Sequence, residues 1–358
     1  MKLPRIFIGL LEICDTVLGL AQGLRELGYP VTTMVIASSN PLVSRGHHDT
    51  YIPVSRKAYL VDLPREFIKS ALTHDIFVFT YCTSFCGLFF RATQYQRLNF
   101  FDVSLLKTLG KKIVFISNGD DLRSYDMLIK DLIAHKLYSH AKYLKKELAN
   151  IAPFPHYEAV RKKRAHLVEE YGDVLFAKPD RAHHLTAHYH IVWPPFNLDS
   201  IEYRISQSDE PLILHAPSNR YIKGTKYILK TINLLKKEYN FKFLLCEHMP
   251  HADLKKHLAE STIVIDQLLL PGHGMFGIEA MASGNAVLGS AVPGYNGFSP
   301  DLPIMTSTPD TLYDNLKLLL EHPHMRVVLA KKGRDYVKAY HDYGKVAADF
   351  IQKIQSTE

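Results

Sequence analysis

Short apolar runs recur along the chain, each followed by a polar or glycine-bearing turn and then a stretch with helical spacing. Residues 5–9, Val31–Ile36, Ile76–Thr80 and residues 113–117 are largely apolar rather than alternating, the pattern of strands covered on both faces. Residues 15–27 have the spacing of an amphipathic helix that stops at Gly28, with Asp15 in place to cap it. Residues 173–177 make the last strand of this series. A second series follows: strand Leu212–His215, helix 225–237, strand 241–246, helix 252–259, strand 262–266, helix Met275–Ser283 stopped by Gly284, and a strand from Ala286. Two amphipathic helices, about 325–340 and 343–354, close the pattern. Alternating strands and helices predict an α/β protein with two doubly wound, Rossmann-like domains. The paired prolines of VWPPFNLD, residues 192–199, bias the chain to extended structure, and the domain boundary is placed near residue 205.

Two stretches of the second series concentrate the chemistry. Residues 263–289, IVIDQLLLPGHGMFGIEAMASGNAVLG, run from a strand through a loop with Gly272, His273 and Gly274 into the helix that begins Met275, Phe276. Free backbone N–H groups and the positive end of the helix dipole make such a terminus a phosphate site. Glu279 stands about one turn inside, where a carboxylate accepts hydrogen bonds from sugar hydroxyls. Upstream, residues 212–225, LILHAPSNRYIKGT, carry Asn219, Arg220 and Lys223 between a strand end and a helix start. An Arg and a Lys there supply planar hydrogen bonding and point charge for a diphosphate. Taken singly, the later stretch also fits a plain βαβ unit with an incidental Glu.

Together these stretches resemble the C-terminal domain of the GT-B glycosyltransferases, most closely the family 4-like group. The resemblance implies a GT-B fold, two Rossmann-like domains facing across a cleft, with Arg220 and Lys223 on the nucleotide diphosphate and Glu279 on the ribose. It matches Gly272 and Gly274 to the phosphate loop, and Asn219, His273, Met275 and Phe276 fall in the same donor-binding segments. It implies domains at 1–204 on the acceptor side and 205–340 on the nucleotide-sugar side, with residues 341–358 as a helix crossing back. Many members carry a second glutamate eight positions before the ribose-binding one, where this chain has Pro271. In the first half, SNGDDLR after the 113–117 strand resembles a Gly-x-Asp pattern often preceded by His. Asn118 takes the histidine position, so no general base is evident there; Asn118 and Asp121 are catalytic candidates beside Lys223 and Arg220. An N-cap with a structural Asp–Arg pair is the alternative. The loop LLEICD makes Glu12 and Cys14 candidates for acceptor or cleft contacts.

The implied activity is transfer of a sugar from a nucleotide-sugar donor to an acceptor hydroxyl of a glycan or lipid-linked glycan, retaining and without metal or other cofactor. A nucleotide-binding protein without turnover and a nucleotide-sugar epimerase are the alternatives. The 358 residues suffice for two cores, and a net charge of +7 permits anionic partners without choosing among them. The loop after the first strand lacks G-x-G-x-x-G, which argues against a dinucleotide-binding dehydrogenase. Cys14, Cys82, Cys86 and Cys246 have no paired spacing, so neither zinc nor a disulfide framework is expected. His184 and His188 are four apart but lack the H-E-x-x-H acid. The Asp120–Asp121 pair is set against metal binding by the available Lys and Arg. Residues 130–164 hold six more basic than acidic residues, among them Lys142, Lys145, Lys146 and the run 161–164. They read as a solvated surface or as a face for an acidic membrane. Nucleic acid is not expected as a partner, since no recognised module is present. Glu12 and Asp15 break the apolar N-terminus and residues 76–90 are too short and polar to span a bilayer, so a cytoplasmic protein, peripheral at most, is expected.

Overall fold

The structure, a computed structural model, describes residues 2–36, 47–55, 57–88, 100–119, 121–150, 154–179, 185–206 and 208–357. Asp120 and His184 lie outside the described residues. The chain forms two compact units: Met1–Ser124 with Pro155–Phe196 and His341–Glu358, and Tyr125–Phe154 with Asn197–Tyr340.

The first unit is built on a parallel sheet of seven strands: β1 Ile6–Leu10, β2 Val31–Ile36, β3 Thr50–Ile52, β4 Ile76–Thr80, β5 Lys112–Ser117, β6 Val174–Ala177 and β7 His190–Ile191. Their order is β3-β2-β1-β4-β5-β6-β7, so the direction of winding reverses between β1 and β4. One face of the sheet is lined by aromatic side chains, with Phe7, Phe77, Phe79 and Phe115 fully buried. The other packs Ile6, Ile8, Val78 and Val114 with helix Thr16–Glu26 and the terminal helix Tyr343–Gln355. That last helix buries Val346, Ala347, Phe350, Ile351 and Ile354 in this core. Each large apolar side chain so buried contributes roughly 1.5–3 kcal/mol.

The second unit has a parallel sheet of five strands: β8 Leu212–His215, β9 Lys242–Leu245, β10 Ile263–Ile265, β11 Ala286–Gly289 and β12 Ile304–Thr306. The order β12-β11-β10-β8-β9 puts its reversal between β8 and β10. In open α/β sheets, ligands bind outside the strand carboxyl ends at such a reversal.

The boundary differs from the sequence expectation in two respects. It falls after Phe196 rather than near 205, and residues 125–154 belong to the second unit although they precede the strand β6 of the first. The reason is burial: Tyr125, Leu128, Leu132, Leu144 and Leu148 join the apolar cluster of Ile213, Ile228, Ile232 and Ile263. The basic stretch is thereby divided. Lys142, Lys145 and Lys146 ride on helix Tyr138–Leu148 of the second unit, whereas residues 161–164 lie on helix Phe154–Tyr171, nearly all of it in the first. Among the described residues no helix is long and apolar enough to cross a membrane.

Candidate active site

At the end of β8, His215 is fully buried and ties the strand to its surroundings. Its Nδ1–H donates to the Ile265 carbonyl of β10 at 2.7 Å, which leaves Nε2 to accept from the Thr225 hydroxyl at 3.0 Å. Burial pushes this imidazole down to about 4, so it stays neutral and serves as a cross-link. The loop that follows turns into the short helix Arg220–Lys223. Asn219 caps it, its Oδ1 accepting from the Tyr221 and Ile222 amides at 2.9 and 3.2 Å. Arg220 and Lys223 both carry a carboxylate partner. Arg220, more than half exposed, makes a bidentate pair with Glu247 at 2.5 and 2.6 Å, and this holds Glu247 below the usual carboxylate range. Lys223 is only 9% exposed, and its Nζ donates to Asp266 Oδ1 at 2.8 Å.

Asp266 follows β10 directly and is 1% exposed. Its second oxygen, Oδ2, accepts the Gly274 amide at 2.7 Å, immediately before the helix Met275–Ser283. Two glycines line this close approach. A Cβ on Gly274 would lie 2.8 Å from Lys223 Nζ, and one on Gly277 would lie 2.9 Å from Asp266 Oδ2. Gln267 Nε2 donates to the Gly272 carbonyl and braces the loop between them. Pro271 and Gly272 are buried, Phe276 is 8% exposed and belongs to the packed face of the helix, and Met275 is half-buried. The His273 ring packs beside Phe298, centroids 5.1 Å apart. One turn into the helix, Glu279 is 6% exposed and accepts from His251 Nε2 at 2.7 Å.

The first unit gathers a second polar cluster at its own reversal point. Glu12, 1% exposed, receives the Val17 and Leu18 amides on Oε2 at 2.9 and 3.1 Å and the Thr16 hydroxyl on Oε1 at 3.2 Å. It therefore caps the Thr16–Glu26 helix, the role that the sequence assigns to Asp15. Asp15 makes no side-chain cap bond, because its left-handed backbone at φ 57° turns the chain into the helix and leaves the amides to Glu12. Burial pushes the Glu12 carboxyl up to about 7, with the charge of Asp15 acting in the same direction and the amides against it. The His48 Nε2 lies 3.9 Å from Glu12 Oε2, and neither side chain is exposed. Cys14, Asp15, Tyr81 and Cys82 all have positive φ between 44° and 58°, after the adjacent strands β1 and β4. Strain of this kind collects at functional sites. Burial raises the Tyr81 hydroxyl, and the charges of Cys14, Asp121 and Glu12 reach it. Asn118 is 8% exposed and lines a narrow crevice with Thr16, Thr80 and Trp193. Asp121 turns back on its own strand end, accepting from Gly119 N at 2.8 Å and Ser117 Oγ at 3.2 Å.

Comparison with known proteins draws on both sequence and fold. Residues 226–352 match the family described as glycosyl transferase-like. Sucrose-phosphate synthase from Thermosynechococcus elongatus superposes with a TM-score of 0.62 over 99% of both chains, at 14% identity. The fold is GT-B. Two further GT-B structures agree: Anabaena HepE in complex with UDP-glucose, TM-score 0.58 at 11% identity over 99% of this chain and 100% of that one, and WaaG, a glycosyltransferase involved in lipopolysaccharide biosynthesis, TM-score 0.56 at 12% identity over 96% and 98%. No curated protein sequence matches this chain significantly.

Within the second GT-B unit, Lys223, Gly272, Gly274 and Glu279 converge on one strand-end loop and one helix terminus. Arg220 opens the Asn219-capped turn that carries Lys223, but its side chain turns to Glu247. Sequence reasoning passed over Asp266, Glu247, His251 and His215. Asp266 left one visible signal, a charge placed immediately after the buried strand IVI. Of the other three, Glu247 sits in a loop, His251 at a helix start and His215 at a strand end, with no pattern of their own. In the first GT-B unit, Glu12, Cys14, Asn118 and Asp121 are brought to neighbouring strand ends, with Asp121 engaged in closing the turn after β5.

Proposed function

We propose that the protein is a glycosyltransferase that moves a sugar from a nucleotide-sugar donor to an acceptor hydroxyl in glycan or glycolipid assembly. The observation that carries this reading is the juxtaposition of Lys223, the Gly274 amide and Glu279 at the β8/β10 reversal of a GT-B fold. As the bond between the anomeric carbon and the diphosphate breaks, negative charge grows on the departing phosphate oxygen. The Lys223 ammonium and the terminus of the Met275–Ser283 helix are fixed where that charge would collect, a preorganised stabilisation. Arg220 has solvent on one side and can exchange Glu247 for a phosphate oxygen. Glu279, steadied by His251, takes the ribose hydroxyls. Acceptor recognition is assigned to the polar cluster of the first unit, and retention of anomeric configuration follows the family 4-like resemblance. UDP-glucose is the first donor to try, because the HepE structure holds it.

The positive charge in this mechanism comes from side chains and backbone, so no divalent cation is required. A thermal-shift series with UDP, GDP, ADP and CMP and their sugar conjugates, with and without EDTA, tests it. A nucleoside diphosphate should stabilise the protein equally in chelator, by about 2.7 kcal/mol at a hundredfold excess over Kd. Binding that vanishes in EDTA and returns with Mn²⁺ would overturn the metal-free mechanism. The pairing of both cations with carboxylates favours a second reading, a nucleotide-binding protein without turnover. Hydrolysis of the donor sugar in the absence of acceptor would exclude it.

A further inference from the structure

We infer that Asp266 is an internal competitor for the donor diphosphate, and so sets the affinity of this site for its nucleotide. The inference rests on the reading of the β8/β10 loop as the donor site. In the described structure one carboxylate occupies both groups that a phosphate at this helix terminus needs: Oδ1 takes Lys223 Nζ at 2.8 Å and Oδ2 takes the Gly274 amide at 2.7 Å. The lysine ammonium has three N–H groups and can serve two anions. The amide has one, so a phosphate oxygen reaches it only as Asp266 Oδ2 gives it up. Asp266 is 1% exposed, and two anions held side by side away from water repel strongly. The glycines at 274 and 277 fit the same account. A Cβ at Gly274 would lie 2.8 Å from the Lys223 ammonium and one at Gly277 2.9 Å from the Asp266 carboxylate, so their absence leaves room for this pair.

A competitor of this kind acts unequally on donor and product. Transfer replaces the bond to sugar carbon by a terminal phosphate oxygen, and the free nucleoside diphosphate carries more negative charge than the conjugate. Asp266 therefore opposes the product more than the donor, and re-forming its two bonds accompanies release. It is a positioning residue in the empty site and an affinity-setting one in the occupied site.

The test is calorimetric titration of wild type, Asp266→Asn and Asp266→Ser with UDP, GDP, ADP, uridine and inorganic pyrophosphate in chelated buffer. Asparagine keeps an acceptor for the Gly274 amide and removes the charge; serine repeats the charge loss with a different shape, should the first variant fold poorly. UDP, or whichever diphosphate binds, should bind the variants at least tenfold more tightly, equivalent to about 1.4 kcal/mol, with uridine unchanged. Equal or weaker diphosphate binding by a folded variant would overturn the inference, as would an equal gain for uridine, which marks a reshaped pocket. Nucleotide binding without the gain leaves the donor-site reading standing and removes the competitor. A gain for pyrophosphate, with no nucleotide binding to wild type, does the reverse. No binding of any anion to any of the three proteins would remove both.

Discussion

Replacing Glu12 by Gln should make the first unit more stable at high pH and leave it nearly unchanged at low pH. The folded protein holds this carboxyl at about 7 against an ordinary value of 4.5, chiefly through burial. Between those two values the unfolded chain has released the proton and the folded chain keeps it. The folded state then binds more protons, so stability falls as pH rises. At 1.36 kcal/mol per unit, the raised value costs the wild type roughly 0.8 kcal/mol at pH 5 and about 3 kcal/mol at pH 8. Glutamine has the same shape, and its oxygen can accept from the Val17 and Leu18 amides, so the cap survives while the penalty does not. The charge of Asp15 raises the same carboxyl, so its repulsion is part of the penalty that glutamine removes, and His48 faces that carboxyl at 3.9 Å. Urea unfolding of the two proteins from pH 5 to pH 8 supplies that difference. The single tryptophan, Trp193, lies in the first unit and reports its transition by fluorescence. A difference flat across this range, or a variant less stable at pH 8, would refute the account of Glu12 as a buried, proton-retaining cap.

Three substitutions probe the second unit. Lys223→Ala should lower kcat about a hundredfold to a thousandfold, because its partner gains charge only as the bond breaks, whereas Glu279→Gln should mainly raise KM for the donor. Steady-state kinetics on variants shown to be folded separates the two, and a reversed pattern would mean the donor lies the other way round. Gly277→Ala forces a methyl to 2.9 Å from Asp266 Oδ2 and should destabilise the second unit by about 1–3 kcal/mol in thermal unfolding. An alanine variant as stable as wild type would show that the Asp266 carboxylate is not held where it is described.

The elements were legible where burial is strong and local. The helix Met275–Ser283 and the strand Leu212–His215 have the bounds that their apolar pattern predicts, and the two closing helices fall within two residues of expectation. The short edge strands β3, β7 and β12 were not, since two or three residues are too few to show a period. Periodicity also reports that a helix is buried without saying in which core, and so the sequence alone leaves Tyr125, Leu128 and Leu132 with the first series of strands although they pack in the second unit. The same limit applies to the site. Lys223, Arg220 and Glu279 stand in recognisable strings, but the partner of each is set by the fold. Asp266 is 43 residues from Lys223, and Glu279 is 28 from His251. A cap from Glu12 rather than Asp15 depends on a left-handed turn that the sequence LLEICD does not announce.

The route of the chain between the units bears on how the protein can be made. The units exchange the backbone four times, after Ser124, Phe154, Phe196 and Tyr340. No cut between two of these points yields either unit as one uninterrupted fragment. During synthesis the second unit has all its residues once Tyr340 has left the ribosome, but the first, begun earliest, still lacks its Tyr343–Gln355 helix. Until that helix emerges, the sheet stays uncovered where Val346, Phe350 and Ile351 will pack, and apolar surface exposed in this way favours misassociation of the nascent chain.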